Sequence, residues 1–157
     1  MNDTLLTIAE LAVAIAGFAA IVEVVSSRAE GRWDRGGFNG MVFHALVALV
    51  FSLTPVVLAE LGLASEGAWR VLSGVLGVFM LVHSGLVAWV FVRPQERSAV
   101  LLVLLLPAGI ASALVATAFG WRAFPPTGVF LAGLCVQLLQ AAVLFFRLIY
   151  QRGDSNA

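Results

Sequence analysis

The sequence predicts an all-α fold, a polytopic transmembrane bundle of five helices, and two observations lead to it. Of the 157 residues, 61% are hydrophobic and 11% are charged, whereas a soluble domain has about 45–50% apolar and about 25% charged residues. Five apolar segments each approach the roughly 20 residues that a helix needs to cross the hydrocarbon core of a bilayer. Because lipid cannot satisfy exposed backbone polar groups, membrane segments of this length are helical.

The five helices follow one another with short loops in one transmembrane domain, residues 1–157. We place them at residues 5–25, 41–63, 69–92, 99–119 and 129–149. The segments between them are SSRAEGRWDRGGFNG, ASEGA, RPQER and GWRAFPPTG, and their Gly, Pro and charged residues are typical of loops. The first segment reads as a retained helix and not as a signal peptide, since its arginines follow the apolar run.

The distribution of arginines predicts the orientation. Seven arginines lie in the first loop, the third loop and the C-terminal end, and two, Arg70 and Arg122, lie on the opposite side. Basic residues favour the cytoplasmic side, so the N-terminus is expected outside and the C-terminus in the cytoplasm. Trp69 and Trp121 fall at the predicted outer interface, where aromatic residues are enriched. We therefore expect a multi-pass membrane protein.

Composition also argues against several classes of protein. The net charge is zero and lysine is absent, so no basic patch suggests a nucleic-acid partner. Cys135 is the sole cysteine, which excludes an intrachain disulfide and favours a buried, inert thiol. The sequence has no HExxH or HxxxH spacing and no catalytic constellation. We expect no enzyme activity, no metal and no cofactor.

Five ionisable side chains lie inside the predicted membrane spans, where a charged group is unfavourable. They are Glu10, Glu23, Glu60, His44 and His83. A charge at the bilayer centre costs about 2.5–3.5 kcal/mol on insertion scales, so such residues are candidates for function. With the N-terminus outside, Glu10 and Glu60 share an outer layer, and Glu23 and His44 share an inner one. These residues are candidates for an ion or proton path.

Each of these groups has a structural alternative that the sequence leaves open. Glu23 either pairs with Arg28 or another first-loop arginine, or joins His44 and His83 in a cluster that carries protons or binds a cation. Glu10 and Glu60 either face a water-filled vestibule or form a site in which two carboxylates share a proton. The two histidines also permit haem ligation, as a third reading.

Two further features concern helix packing. Helix 1 has small residues on nearly all sides, which predicts a central position surrounded by several helices. In helix 5, Gln137 and Gln140 are three residues apart and are therefore neighbours on one face. They either form interhelical hydrogen bonds or line a polar conduit.

The start of the chain resembles a known group of proteins. Glu10 followed by AIAGFAAIV, and then Arg28, Trp33 and Arg35, is similar to uncharacterised small bacterial multi-helix membrane proteins with an "E…AGFxxIV" first helix. The likeness covers about a third of the chain. It implies a bacterial inner-membrane location and transfers no activity.

Together these features favour a small oligomeric protein with a channel-like or transport-like role. A cation or proton would move along the intramembrane carboxylates, at a symmetry axis or along a narrow path within one protomer. The alternative is a non-conducting scaffold or subunit that binds a partner protein through the cytoplasmic loop 26–40. A haem- or quinone-binding redox anchor is the third possibility. The expected partners are the lipid bilayer and further copies of the chain.

Overall fold

The computed structural model describes the backbone of residues 2–26, 35–91, 97–121 and 125–153, and the side chains of residues 2–21, 38–86, 105–121 and 125–146. In this part of the chain the fold is all-helical. Its five helices are α1 (Asn2–Ser26), α2 (Arg35–Glu60), α3 (Glu66–Phe91), α4 (Arg97–Ala118) and α5 (Pro126–Gly153). The predicted number and order of helices are confirmed.

The helix ends differ from the prediction by several residues. Helix α2 begins at Arg35 and not at residue 41, and α5 continues to Gly153 beyond residue 149. Hydropathy marks only the apolar part of a helix, whereas hydrogen bonding continues through polar residues outside that part. As a consequence, the predicted loop 26–40 is too long, because residues 35–40 are helical and Ser26 ends α1. Residues 27–34 lie outside the described part of the chain.

The link between α2 and α3 has a cap at each end. Gly62 adopts a positive φ of 71°, and the Gly62 and Leu63 amides donate to the Ala59 and Leu58 carbonyls at 3.0 and 2.8 Å. This is a Schellman motif, in which glycine tolerates the left-handed conformation. Ser65 then begins α3 as an N-cap, since its hydroxyl accepts a hydrogen bond of 3.1 Å from the Ala68 amide.

Helix α4 ends in the same way as α2. Gly120 has a positive φ of 91°, and the Gly120 and Trp121 amides donate to the Thr117 and Ala116 carbonyls, each at 3.0 Å. The two Schellman motifs satisfy helix carbonyls that would otherwise have no donor at the helix end.

Four of the helices are long and apolar enough to cross a membrane. The qualifying segments are Asn2–Ile21, Phe38–Glu60, Glu66–Leu86 and Pro126–Phe146. The described side chains of α4 form a shorter apolar segment, Leu105–Ala118. Large apolar side chains on the surface, such as Val71 (65% exposed) and Phe146 (68% exposed), suit contact with lipid.

The chain divides into two compact units, which α2 and α5 both traverse. The first unit contains Met1–Val56 and Leu134–Ala157. Its core joins α1, α2 and α5 through small or flexible side chains: Ala19, Met41, Ala45 and Ala141. The rings of Phe18 and Phe145 meet edge to face at 5.3 Å. A methyl group at Gly40 would lie 3.1 Å from Leu144 Cδ1, so glycine lets α2 and α5 approach closely.

The second unit, Val57–Gly133, contains the contact between α3 and α4. Two glycines of α3 make this contact close. A Cβ atom at Gly74 would lie 2.9 Å from Ala118 Cβ, and one at Gly77 would lie 2.8 Å from Leu114 Cβ. Gly133 of α5 has the same role, since a Cβ atom there would meet Leu114 at 2.9 Å. Small residues thus allow helix backbones to pack at short distance.

Two predictions about packing are wrong for the single chain. Helix α1 is buried on one face only, through residues such as Leu5, Ala12 and Ala19, while Glu10 and Gly17 are exposed. It therefore does not occupy the expected central position, because small side chains permit close packing without requiring it on every side. Cys135 was expected to be buried, but it is exposed on α5.

Candidate functional site

The first unit contains a buried polar pair formed by His44 of α2 and Gln137 of α5. The imidazole Nδ1 of His44 lies 2.6 Å from Gln137 Oε1. His44 is 4% exposed and Gln137 is 1% exposed, so the two groups interact out of contact with the surrounding solvent or lipid. A hydrogen bond between the two side chains is the form in which a polar pair is tolerated in an apolar core.

Neighbouring small residues position this pair. Ala45, Ala48 and Ala141 are each fully buried, and they leave room for the imidazole and the amide between α2 and α5. The ring of Phe43 meets that of His44 edge to face, at a centroid distance of 5.8 Å. At 1.5 Å per residue, His44 lies about 9 Å along the apolar segment that begins at Phe38. The pair is therefore well inside the apolar length of both helices.

The hydrogen bond determines which nitrogen of His44 can exchange a proton. An amide oxygen only accepts, so Nδ1 carries the hydrogen and donates it to Gln137 Oε1. In the neutral ring the remaining lone pair is then on Nε2. Protonation at Nε2 keeps Nδ1–H as the donor to Gln137 Oε1, since both ring nitrogens of an imidazolium are donors. The pair can thus hold the ring in one orientation while the imidazole gains and loses a proton.

Glu10 occupies a different environment, on the exposed face of α1. It lies eight residues after Asn2, about 12 Å along the helix, within the apolar segment Asn2–Ile21. In a bilayer an ionised carboxylate on such a face costs about 2.5–3.5 kcal/mol if it contacts hydrocarbon. Either water or another protein group must therefore reach Glu10 when the helix spans a membrane.

The remaining predicted residues differ in burial. Glu60 is the last residue of α2 and is exposed. His83 belongs to the second unit, is half-buried, and stacks on Phe79 with 6.3 Å between the ring centroids. Gln140 is half-buried, one turn after Gln137. The side chain of Glu23 lies outside the described residues, and so does its expected contact with His44.

The pairing of His44 with Gln137 was not predicted from the sequence. By charge, His44 belongs with the other ionisable residues, and by position within one helix, Gln137 belongs with Gln140. A signal was available, since a histidine and a glutamine at interior positions of two apolar helices each need a polar partner.

The second unit also contains a buried hydroxyl group, which was not among the predicted site residues. Ser73 of α3 is fully buried, and its Oγ has no hydrogen-bond partner among the residues that the structure describes. Ser73 directly precedes Gly74, one of the glycines at the α3–α4 contact. Its burial therefore accompanies the close approach of these helices.

Metal ligands are not gathered in the part of the chain that the structure describes. Within it, no group of three or more His, Cys, Asp or Glu side chains is arranged to hold an ion. The site consists instead of one imidazole bonded to one amide, with Glu10 on the outer surface of the same unit. The chemistry available to this arrangement is hydrogen bonding and proton exchange.

Comparisons with known proteins assign neither a family nor a function. No protein-family model matches the sequence, and neither a curated protein nor a solved structure is significantly similar to it.

Proposed function

We propose that the chain is a small oligomeric integral membrane protein with a transport-like role, in which His44 relays protons along a narrow path within the bundle. Five helices span the bacterial inner membrane, with the N-terminus outside and the C-terminus in the cytoplasm. The observation that supports this proposal is the buried hydrogen bond of 2.6 Å between His44 and Gln137.

A proton path suits this pair better than a path for a hydrated cation. Histidine is the side chain whose ordinary charge change falls between pH 5 and 8. A proton needs only a chain of hydrogen-bonded groups, whereas a cation needs several oxygen ligands or a water-filled pore. The small buried residues around His44 fit the narrower path. In this proposal Gln137 orients the ring and Nε2 exchanges the proton.

In the same proposal, the carboxylates continue the proton path from His44 toward the two membrane surfaces. Glu10 and Glu60 are exposed side chains that belong to the outer layer when the N-terminus is outside. Glu23 belongs to the inner layer in this orientation. Chains of acidic and histidine side chains form proton relays in membrane pumps and transporters.

The test is proton flux into liposomes that contain the purified protein and a pH-sensitive dye. We expect an imposed pH gradient to decay faster with the wild-type protein than in empty liposomes. The substitution His44→Gln should abolish this increase, because an amide does not exchange a proton near neutral pH. Gln137→Leu should reduce the increase, because the ring loses its orienting acceptor.

A matched control is Thr54→Val on the same helix as His44. The Thr54 hydroxyl donates to the Val50 carbonyl at 2.7 Å, so the substitution removes a polar group that is satisfied within α2. Flux should remain at the wild-type level. Wild-type protein that conducts no protons in folded form, or His44→Gln protein that conducts at the wild-type rate, would contradict the proposal.

The second candidate function is a non-conducting scaffold or subunit. The same hydrogen bond supports it, since an interhelical bond between His44 and Gln137 also serves simply to hold α2 against α5. In that case Gln137→Leu lowers the free energy of unfolding, and liposomes with the wild-type protein show no more proton flux than empty liposomes. The flux measurement therefore separates the two functions.

A further inference from the structure

The ring of Phe43 lies against His44 at the margin of the buried face of α2. Met41, Ala45 and Ala48 are buried on this face, and at 100° per residue His44 points about 70° away from its middle. Phe43 points about 100° further in the same direction. Position on the helix alone would leave His44 partly accessible, but it is only 4% exposed, whereas Phe43 is 40% exposed. The burial of the imidazole therefore needs a neighbour on its outward side.

The contact between the two rings identifies Phe43 as a neighbour of this kind. The rings meet edge to face, with 5.8 Å between their centroids, which is a favourable arrangement for an aromatic pair. Gln137 holds the imidazole at Nδ1 through the hydrogen bond of 2.6 Å. A phenyl ring has no conventional hydrogen-bond donor or acceptor, so it does not compete with Gln137 for that nitrogen. His44 is thus held by an amide on one side and by a hydrocarbon ring on another.

We propose that Phe43 is a positioning residue for proton exchange at His44, and that its ring closes the imidazole on the side that faces the surrounding membrane. This inference rests on the proposed function, because the closure matters to transport only if His44 exchanges protons. With the outward side closed, protons reach the imidazole through the interior of the bundle. Water that enters the membrane beside α2 does not reach it.

Chemical labelling of the histidines tests this cover in liposomes. Diethyl pyrocarbonate is a small uncharged reagent that enters membranes and reacts with the free lone pair of a neutral imidazole. Peptide mass spectrometry then gives separate labelling rates for His44 and His83, the two histidines of the chain. His83 is half-buried in the second unit, so its rate is an internal reference for changes that affect the whole protein. In the wild-type protein, His44 should react more slowly than His83.

Removal of the ring should open His44 alone. We expect Phe43→Leu to raise the labelling rate of His44 about threefold to tenfold, the change in the open population that loss of one aromatic pair produces. The rate of His83 should stay unchanged. Phe43→Tyr retains the ring and should retain the wild-type rate at His44.

The matched control is Phe146→Leu. Phe145 and Phe146 are also consecutive residues of the first unit, and their rings meet edge to face with 5.8 Å between the centroids. The substitution therefore removes the same kind of contact at a place that does not involve His44. It should leave the labelling rates of both histidines unchanged.

Proton flux in the same liposomes tests whether the cover serves transport. Phe43→Leu should slow the decay of an imposed pH gradient relative to the wild-type protein, because an imidazole held on one side only turns into other orientations. Phe146→Leu should conduct at the wild-type rate. Faster labelling of His44 in Phe43→Leu, without any change in flux, would overturn the positioning role.

Three labelling results would also overturn it. They are a wild-type His44 that reacts as fast as His83, a His44 rate that is unchanged in Phe43→Leu, and an equal increase of that rate in Phe146→Leu. The proposed function fails on a different observation, since wild-type protein without proton flux rejects it whatever the labelling shows. Protection of His44 by Phe43 in such a protein would support the cover and reject its role in transport.

Discussion

His44 and Gln137 are 93 residues apart in the sequence and are joined by a buried hydrogen bond of 2.6 Å. The bond links α2 to α5, the two helices that run through both compact units. Because both side chains are nearly inaccessible, neither can exchange its partner for solvent without a rearrangement of the helices. The relative position of the two helices therefore depends on the hydrogen bond made by one imidazole.

The first prediction concerns the strength of that bond. Gln137→Leu should lower the free energy of unfolding by about 1–3 kcal/mol, because it leaves the His44 Nδ1–H group buried without its acceptor. A double-mutant cycle with His44→Leu should give a coupling free energy of about 0.6–2 kcal/mol. Unfolding in mixed micelles, followed by circular dichroism, measures each variant. Additive effects of the two substitutions would show that the bond contributes no stability.

A second prediction concerns the close contact between α3 and α4. In Gly77→Ala the new methyl group would lie 2.8 Å from Leu114 Cβ and 2.9 Å from the Ala111 carbonyl oxygen. Neither atom is the end of a flexible chain, so the helices must move apart, at a cost of about 1–3 kcal/mol. Gly85→Ala is the matched control in the same helix, since its methyl group would meet nothing within 4 Å. It should leave the melting temperature unchanged or raise it, because alanine favours the helix.

The buried hydroxyl of Ser73 leads to a prediction of increased stability, in contrast to the two losses above. Ser73→Ala should raise the free energy of unfolding by about 1–3 kcal/mol, because it removes a buried polar group without a partner in the described structure. Ser112→Ala is the comparison, since the Ser112 hydroxyl donates to the Ala108 carbonyl at 2.8 Å. A loss of stability in Ser73→Ala would mean that the hydroxyl is satisfied in the membrane, for example by water.

The orientation in the membrane is tested with reporter fusions at both ends of the chain. The excess of arginine in the first and third loops predicts an external N-terminus and a cytoplasmic C-terminus. A C-terminal fluorescent protein should therefore be active in the cytoplasm, and an N-terminal alkaline phosphatase should be active outside. Cytoplasmic signals from both fusions would show that the chain crosses the membrane an even number of times. The assignment of α4 as a membrane span, in addition to the four longer apolar helices, would then be rejected.

The redox alternative predicts colour, because haem absorbs strongly in visible light. We expect the purified protein to be colourless, since bis-histidine ligation would need His44 and His83, the two histidines of the sequence, to meet at one iron atom. Visible absorption spectra before and after addition of haem provide the measurement. A Soret band that is lost in both His44→Ala and His83→Ala would make electron transfer the leading function.

The sequence alone determined the class of fold, the number of helices and their approximate positions. These properties are local, since the apolar run Val129–Ile149 predicts a helix whatever lies beside it. The helix ends were not determined by the sequence, as the start of α2 at Arg35 shows, because hydropathy does not record where backbone hydrogen bonding stops.

Only the tertiary structure decided which polar residues meet. The pairing of His44 with Gln137 depends on the rotation and relative depth of α2 and α5, and a change of one residue in either rotates the side chain by about 100°. The exposure of Glu10 also depended on packing, because the small residues around α1 allow contact on either side. Local composition shows that a polar side chain in an apolar helix needs a partner, but the partner itself is set by contacts between distant segments.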